Sequence, residues 1–216
     1  RTLRKSVLLF RIRLSHPVRE VRQVTSYSVV ADWGKLPSGW SYYEATSVAV
    51  DSQDRVYVFN RGEHPVIVFD REGDFIGSWG EGEFQRPHGI WIDEEDQLYL
   101  SDDQDHTVKK FTTEGTRLMT LGESGKPSDT GCDSTDYRQI QRPGGPFNQP
   151  TNVATSSDGT IFVSDGYGNC RVHKYSAQGE HLLSWGTPGS GPGEFYLPHG
   201  IAVDGQGRVF VAGRGN

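Results

Sequence analysis

The chain has 216 residues, with 22 Lys+Arg against 28 Asp+Glu and a net charge of −6. That balance offers no basic field for a phosphate backbone, so nucleic acid is not expected as a partner. No run approaches the ~20 apolar residues of a membrane span, so no membrane partner is expected, and 27 Gly and 11 Pro suit a turn-dense all-β chain.

The opening RTLRKSVLLFRIRL has an apolar run only at 7–10 before Arg11 and Arg13 interrupt it. That is too short for the apolar region of a secretion signal. Residues 1–30 therefore read as a leader or upstream segment with weak strand character, and 31–216 as the folded unit.

Repeats begin near residues 46, 88, 151 and 199. The unit TSVAVDSQDRVYVFNRGEHPVIVFDREGDFIGSWG from Thr46 aligns almost without gaps with those from His88 and Thr151, and HGIAVDGQGRVFVAGRGN begins a fourth at His199. Spacings of ~40–50 residues, with one longer, are those of propeller blades. Within each unit the pairs Val56/Val58, Leu98/Leu100 and Ile161/Val163 alternate with other residues, as half-buried strands do. Turns at Ser52-Gln53-Asp54, Glu94-Glu95-Asp96 and Ser157-Asp158-Gly159 separate first strands from second ones. The third strand is predicted to end at Phe69, Phe111 or Tyr175, and the fourth at Trp79, Leu121 or Trp185, each followed by Gly. No segment carries a helical stripe. Four short antiparallel strands per repeat predict a β-propeller. Closed propellers need four to eight blades, whereas three full units and half of a fourth are present. With Arg1 in place of Met, this predicts a fragment of a longer protein.

The long spacing comes from residues 123–147. Loops of this length are often functional, and Asp133, Asp136, Tyr137 and Arg138 are candidates to overhang a channel mouth; a mobile surface excursion is the equal alternative. Two cysteines, Cys132 and Cys170, make no disulfide framework. Free thiols are expected, and with them a reducing, cytoplasmic setting.

Pro87-His88-Gly89-Ile90 returns as Pro198-His199-Gly200-Ile201, while Thr151 holds the same slot in the unit between. Equivalent positions of a closed array face one axis, so His88 and His199 are candidate metal ligands. The plainer reading makes them polar residues at a propeller mouth. His106 and His173 fall near or within third strands and His181 on an outer strand, none with a ligand pattern. His64 is read as a neighbour of the site, and His16 belongs to the leader.

These blades resemble NHL repeats. Phe59-Asn60-Arg61-Gly62-Glu63-His64, Ser164-Asp165-Gly166-Tyr167 and the two Pro-His-Gly strand starts further resemble the peptidyl-α-hydroxyglycine α-amidating lyases, over about residue 40 to 216. The resemblance implies a six-bladed propeller, present here as about three and a half blades. It implies a catalytic zinc held by one histidine from each of three alternating blades, with His88 and His199 in two of those places. Three neutral imidazoles and an open position are usual for such zinc. It assigns catalytic roles to Arg61, Tyr167 and Arg214: guanidinium forks suit a substrate carboxylate, and Tyr167 would be the general base. It also implies a structural calcium on the backbone carbonyls of Val48 and Ile90, oxygen donors of the kind calcium takes. The disulfide that animal members carry beside this tyrosine has no counterpart, since those positions are Asn148 and Gly168.

The implied reaction is zinc-dependent cleavage of the C–N bond of a peptidyl-α-hydroxyglycine to a peptide amide and glyoxylate, on a small-molecule or peptide substrate bearing a carboxylate. With one ligand missing, this chain by itself is expected to have little activity. The alternative is a non-catalytic NHL propeller that binds a protein or peptide across its top face. A lactonase-like hydrolase would need an acidic calcium-ligand set on the inner strands, which is not apparent.

Overall fold

A computed structural model of the chain describes residues 28–215. Most of the predicted leader, including its apolar run and His16, lies outside the described residues.

Three four-stranded antiparallel sheets follow one another, each in simple sequence order. The first is β1 (Ala45–Val50), β2 (Val56–Asn60), β3 (Val66–Phe69) and β4 (Phe75–Trp79). The second is β5 (Pro87–Ile92), β6 (Leu98–Asp102), β7 (Thr107–Phe111) and β8 (Arg117–Leu121). The third is β9 (Pro150–Thr155), β10 (Ile161–Asp165), β11 (Arg171–Tyr175) and β12 (His181–Trp185). A short parallel pair, β13 (Thr187–Pro188) and β14 (Glu194–Phe195), leads to β15 (Pro198–Val203) and β16 (Val209–Gly213), which open the next unit. First strands neighbour one another, β1 on β5, β5 on β9 and β9 on β15, so the sheets fan out as blades from them. The third and fourth strands end at the predicted aromatic and Trp/Leu positions.

Alternation led to the expectation of half-buried strands, but β6 and β10 are buried at every residue. The reason is that the second and third blades each lie between two others. Leu98 and Leu100 pack with Tyr57, Phe59 and Val68 of the first blade, while Tyr99, one residue out of phase, packs with Ile161, Val163 and Tyr175 of the third. Both faces of the pleat are therefore core, and truncating one such leucine to alanine costs about 2–5 kcal/mol.

Two repeated devices set where the first strands begin. Asn60, Asp102 and Asp165 end the second strands, and each side chain accepts hydrogen bonds from the backbone leading into its own first strand. Asn60 accepts from Tyr43 and Glu44, Asp102 from Gln85 and Arg86, and Asp165 from Asn148. Serine and threonine hydroxyls then stitch neighbouring blades: Ser101 Oγ donates to Thr151 O at 2.9 Å, and Thr151 Oγ1 to Pro198 O at 3.0 Å. Thr151, in the slot between the two histidines, is thus wholly buried in a blade-to-blade link. Gly89 permits this approach, because a Cβ there would lie 2.5 Å from Thr151 O.

Loop 123–147 is a packed element. Thr130, Cys132, Ile140 and Phe147 are buried, and Asn148 Nδ2 donates to Ser128 O, Thr130 Oγ1 and Cys132 O. A 3-10 turn at Tyr137–Gln139, capped by Asp136, brings the Tyr137 ring within 5.8 Å of the Tyr196 ring. Arg138 is exposed and pairs with Asp136 at 2.7 Å, and Asp133 is exposed. Cys132 and Cys170 are free and share one buried cluster with Ile140, on different segments of chain.

Candidate functional site

His88 and His199 stand second in β5 and β15, each behind a proline. Nδ1 of His88 is 2.7 Å from Thr151 O. A carbonyl only accepts, so Nδ1 carries the proton and Nε2 presents its lone pair. That Nε2 lies 3.2 Å from the hydroxyl oxygen of Tyr167. Nε2 of His199 lies 3.2 Å from the same oxygen and 3.3 Å from Nη1 of Arg214. A guanidinium only donates, so this nitrogen too presents a lone pair. Arg214 Nη1 also donates to Tyr167 Oη at 3.1 Å, and the two imidazole centroids are 4.9 Å apart.

Gly166, just before Tyr167, lets the β10 turn close on β15, because a Cβ there would lie 2.1 Å from Pro198 O. Burial, with charge from His199, Arg61 and Arg86, brings His88 down to about 4, against the opposing hydrogen bond to Thr151. Burial and then Arg214 lower His199. Both rings are therefore held in the neutral form that binds metals. Their lone pairs converge on a hydroxyl that can donate to only one of them at a time. Two imidazoles so arranged fit two places of a zinc ligand set.

Arg61 reaches the site from another side. Its Nε donates to Pro87 O at 2.9 Å, next to His88, and its Nη1 pairs with Glu44 Oε2 at 2.6 Å. Its Nη2 lies 3.9 Å from Oδ2 of Asp103, which also accepts from Arg86 Nη1 at 2.8 Å. Asp103 is wholly buried and its Oδ1 has no hydrogen-bond partner. Burial pushes its carboxyl up to about 6, outweighing the two guanidiniums. Arg61 borders a cleft of about 850 Å³ lined also by Trp40, Tyr43, Gly62, Glu63 and His64. His64 stacks on Trp40 there, with Nδ1 3.2 Å from Glu81.

Val48 and Ile90 stand in register with Val58 and Leu100, at matching places of β1 and β5. Their backbone oxygens are of the right class for calcium, and two oxygens are a small part of its shell. Among the described residues no three or more His, Cys, Asp or Glu are grouped to hold a metal. Among the described residues the other histidines have structural partners: His173 lies between Asp165 and Ser184, His106 accepts from Gln149 N–H, and His181 meets Ser184. Sequence reading missed Glu44 and Asp103. Asp103 had a usable signal, since it occupies the repeat slot that holds Arg61 and Arg214 in other blades.

The NHL repeat family matches residues 147–175, which run from the end of the long loop through β9, β10 and β11. Human NHL repeat-containing protein 3 is 30% identical over 198 residues, covering 88% of this chain and 54% of that protein. The chain is a partial β-propeller in which residues 147–175 match the NHL repeat. This propeller is also 27% identical over 214 residues to a probable peptidyl-alpha-hydroxyglycine alpha-amidating lyase of Caenorhabditis elegans, covering 95% of the chain and 57% of that protein. It thus spans about half the length of these curated relatives. Hydrazine synthase of Kuenenia stuttgartiensis superposes on it with a TM-score of 0.56 at 11% identity, over 85% of this chain and 47% of that one. That likeness is of fold alone.

Proposed function

We propose that this propeller belongs to a lyase that cleaves the C–N bond of a peptidyl-α-hydroxyglycine, releasing a peptide amide and glyoxylate. The observation that carries the reading is the junction of His88, His199 and Arg214 on the Tyr167 hydroxyl. The similarity to the nematode lyase supports it.

Zinc bound through Nε2 of His88 and of His199, with further ligands from outside these residues, would supply a Lewis acid. The chain's own residues do the rest. Arg61 and Arg214 hold the substrate carboxylate and carbonyl through paired N–H donors. Tyr167, acting in its phenolate form, takes the proton of the substrate hydroxyl, and Arg214 Nη1 donates a hydrogen bond to its oxygen. The C–O bond becomes the carbonyl of glyoxylate, the C–N electron pair leaves with the amide nitrogen, and that nitrogen takes the proton back from Tyr167, which restores the base. Calcium on the carbonyls of Val48 and Ile90 would tie the first blade to the second.

The test is glyoxylate release from a peptidyl-α-hydroxyglycine by the full-length protein, with and without zinc. Loss of release on removing zinc and in His88→Ala is expected; full activity of the zinc-free protein or of His88→Ala overturns the assignment. The similarity to human NHL repeat-containing protein 3 favours a second reading, a propeller that binds a protein or peptide without chemistry. A full-length protein that holds no zinc, releases no glyoxylate and binds peptide would establish that one.

A further inference from the structure

Arg61 is gripped by carboxylates of unequal character. On the inner side stands Asp103, wholly buried and 3.9 Å from Nη2. On the outer side stands Glu44, whose side chain is 52% exposed and whose Oε2 is 2.6 Å from Nη1. Nε is taken by Pro87 O. The solvent-facing position of the guanidinium is therefore filled by a carboxylate of the chain itself, beside the cleft that Trp40, Tyr43 and His64 line.

The backbone of Glu44 is held by ties that do not involve its side chain. Glu44 N–H donates to Asn60 Oδ1 at 3.2 Å, and Glu44 O accepts from Arg61 N–H at 3.0 Å. Rotation about the side-chain bonds alone frees Nη1 without breaking either tie. The buried partners, Asp103 and Pro87 O, would keep the guanidinium in place after Glu44 leaves.

We infer that Glu44 is an internal competitor for Arg61: an incoming carboxylate ligand takes its place on Nη1, and Glu44 thereby sets the carboxylate affinity of the site. The inference rests on the role of Arg61 proposed above. A partly exposed charge-assisted pair is worth little in net free energy, because water and salt compete for both partners. The exchange is therefore cheap, and removing the competitor has a modest effect of predictable sign.

The experiment is calorimetric titration with glycolate, the smallest α-hydroxy carboxylate, of the zinc-loaded full-length protein and of its Glu44→Gln, Glu44→Ala and Arg61→Ala variants, with melting curves as a check on folding. Both Glu44 variants are expected to bind glycolate roughly three- to tenfold more tightly, and Arg61→Ala to abolish binding. Glu44 variants that bind glycolate equally, more weakly or not at all, with Arg61→Ala still abolishing whatever binding exists, overturn the competition and leave the carboxylate role of Arg61 standing. Glycolate binding indifferent to Arg61→Ala overturns both.

Discussion

His88 and His199, from alternate blades, each direct Nε2 at one phenol oxygen from 3.2 Å. The Tyr167 ring also meets both imidazoles edge to face, at 5.3 and 5.6 Å between centroids. Tyr167→Phe keeps the ring and removes only the hydroxyl. Glyoxylate release by the full-length variant is expected to fall ~10²–10⁴-fold, with the melting temperature nearly unchanged. Retained activity would mean that another group takes the proton.

Asp103 makes stability depend on pH with an unusual sign. Unfolded, its carboxyl titrates at the ordinary 3.8; folded, burial places it at about 6. Between those values the native chain keeps a proton that the unfolded chain has released. Stability is therefore full below the lower value and is lost as pH rises toward the upper, by roughly 3 kcal/mol. Asp103→Asn should match the parent near pH 3.5 and melt at higher temperature above pH 6. A difference that does not vary across melts from pH 3.5 to 7 would refute this.

Asp165 carries a third blade's worth of connections. Wholly buried, it accepts from the Asn148 backbone at 3.0 Å, from Asn169 Nδ2 at 2.8 Å and lies 3.1 Å from His173 Nε2. Asp165→Ala strands buried donors and is expected to cost about 3 kcal/mol or more by denaturant titration. A loss under 1 kcal/mol would show that water or a shifted loop replaces the carboxylate.

Cys170 is wholly enclosed, and burial pushes its thiol up to about 12. Only the thiolate is a good nucleophile. A disulfide reagent at pH 8 should therefore leave Cys170 unmodified in the native protein over minutes and label it after denaturation, as peptide mapping would read. Fast native labelling would report that β11 and the long loop come apart.

Much of the blade plan was legible because its determinants are local. Turn residues and period-two alternation place every strand of the three full blades, and the Pro-His-Gly repeat marks equivalent points on β5 and β15. The same pattern misled on burial: alternation reports that two faces differ, and cannot say that each face of β6 meets another blade. The loop at 123–147 was ambiguous because polar composition hides the four residues that anchor it, Thr130, Cys132, Ile140 and Phe147.

The site divides along the same line. By itself the sequence determined which residues share a blade position, since a repeat copies backbone geometry along with residue pattern. Only the tertiary structure decided who meets whom across blades: Arg214 on Tyr167, Arg61 on Glu44 and Asp103 instead, and Thr151 turned into a blade link. Such pairings depend on the stagger and tilt with which neighbouring sheets stack, and that is fixed by side-chain packing between blades, not by any one blade's own sequence.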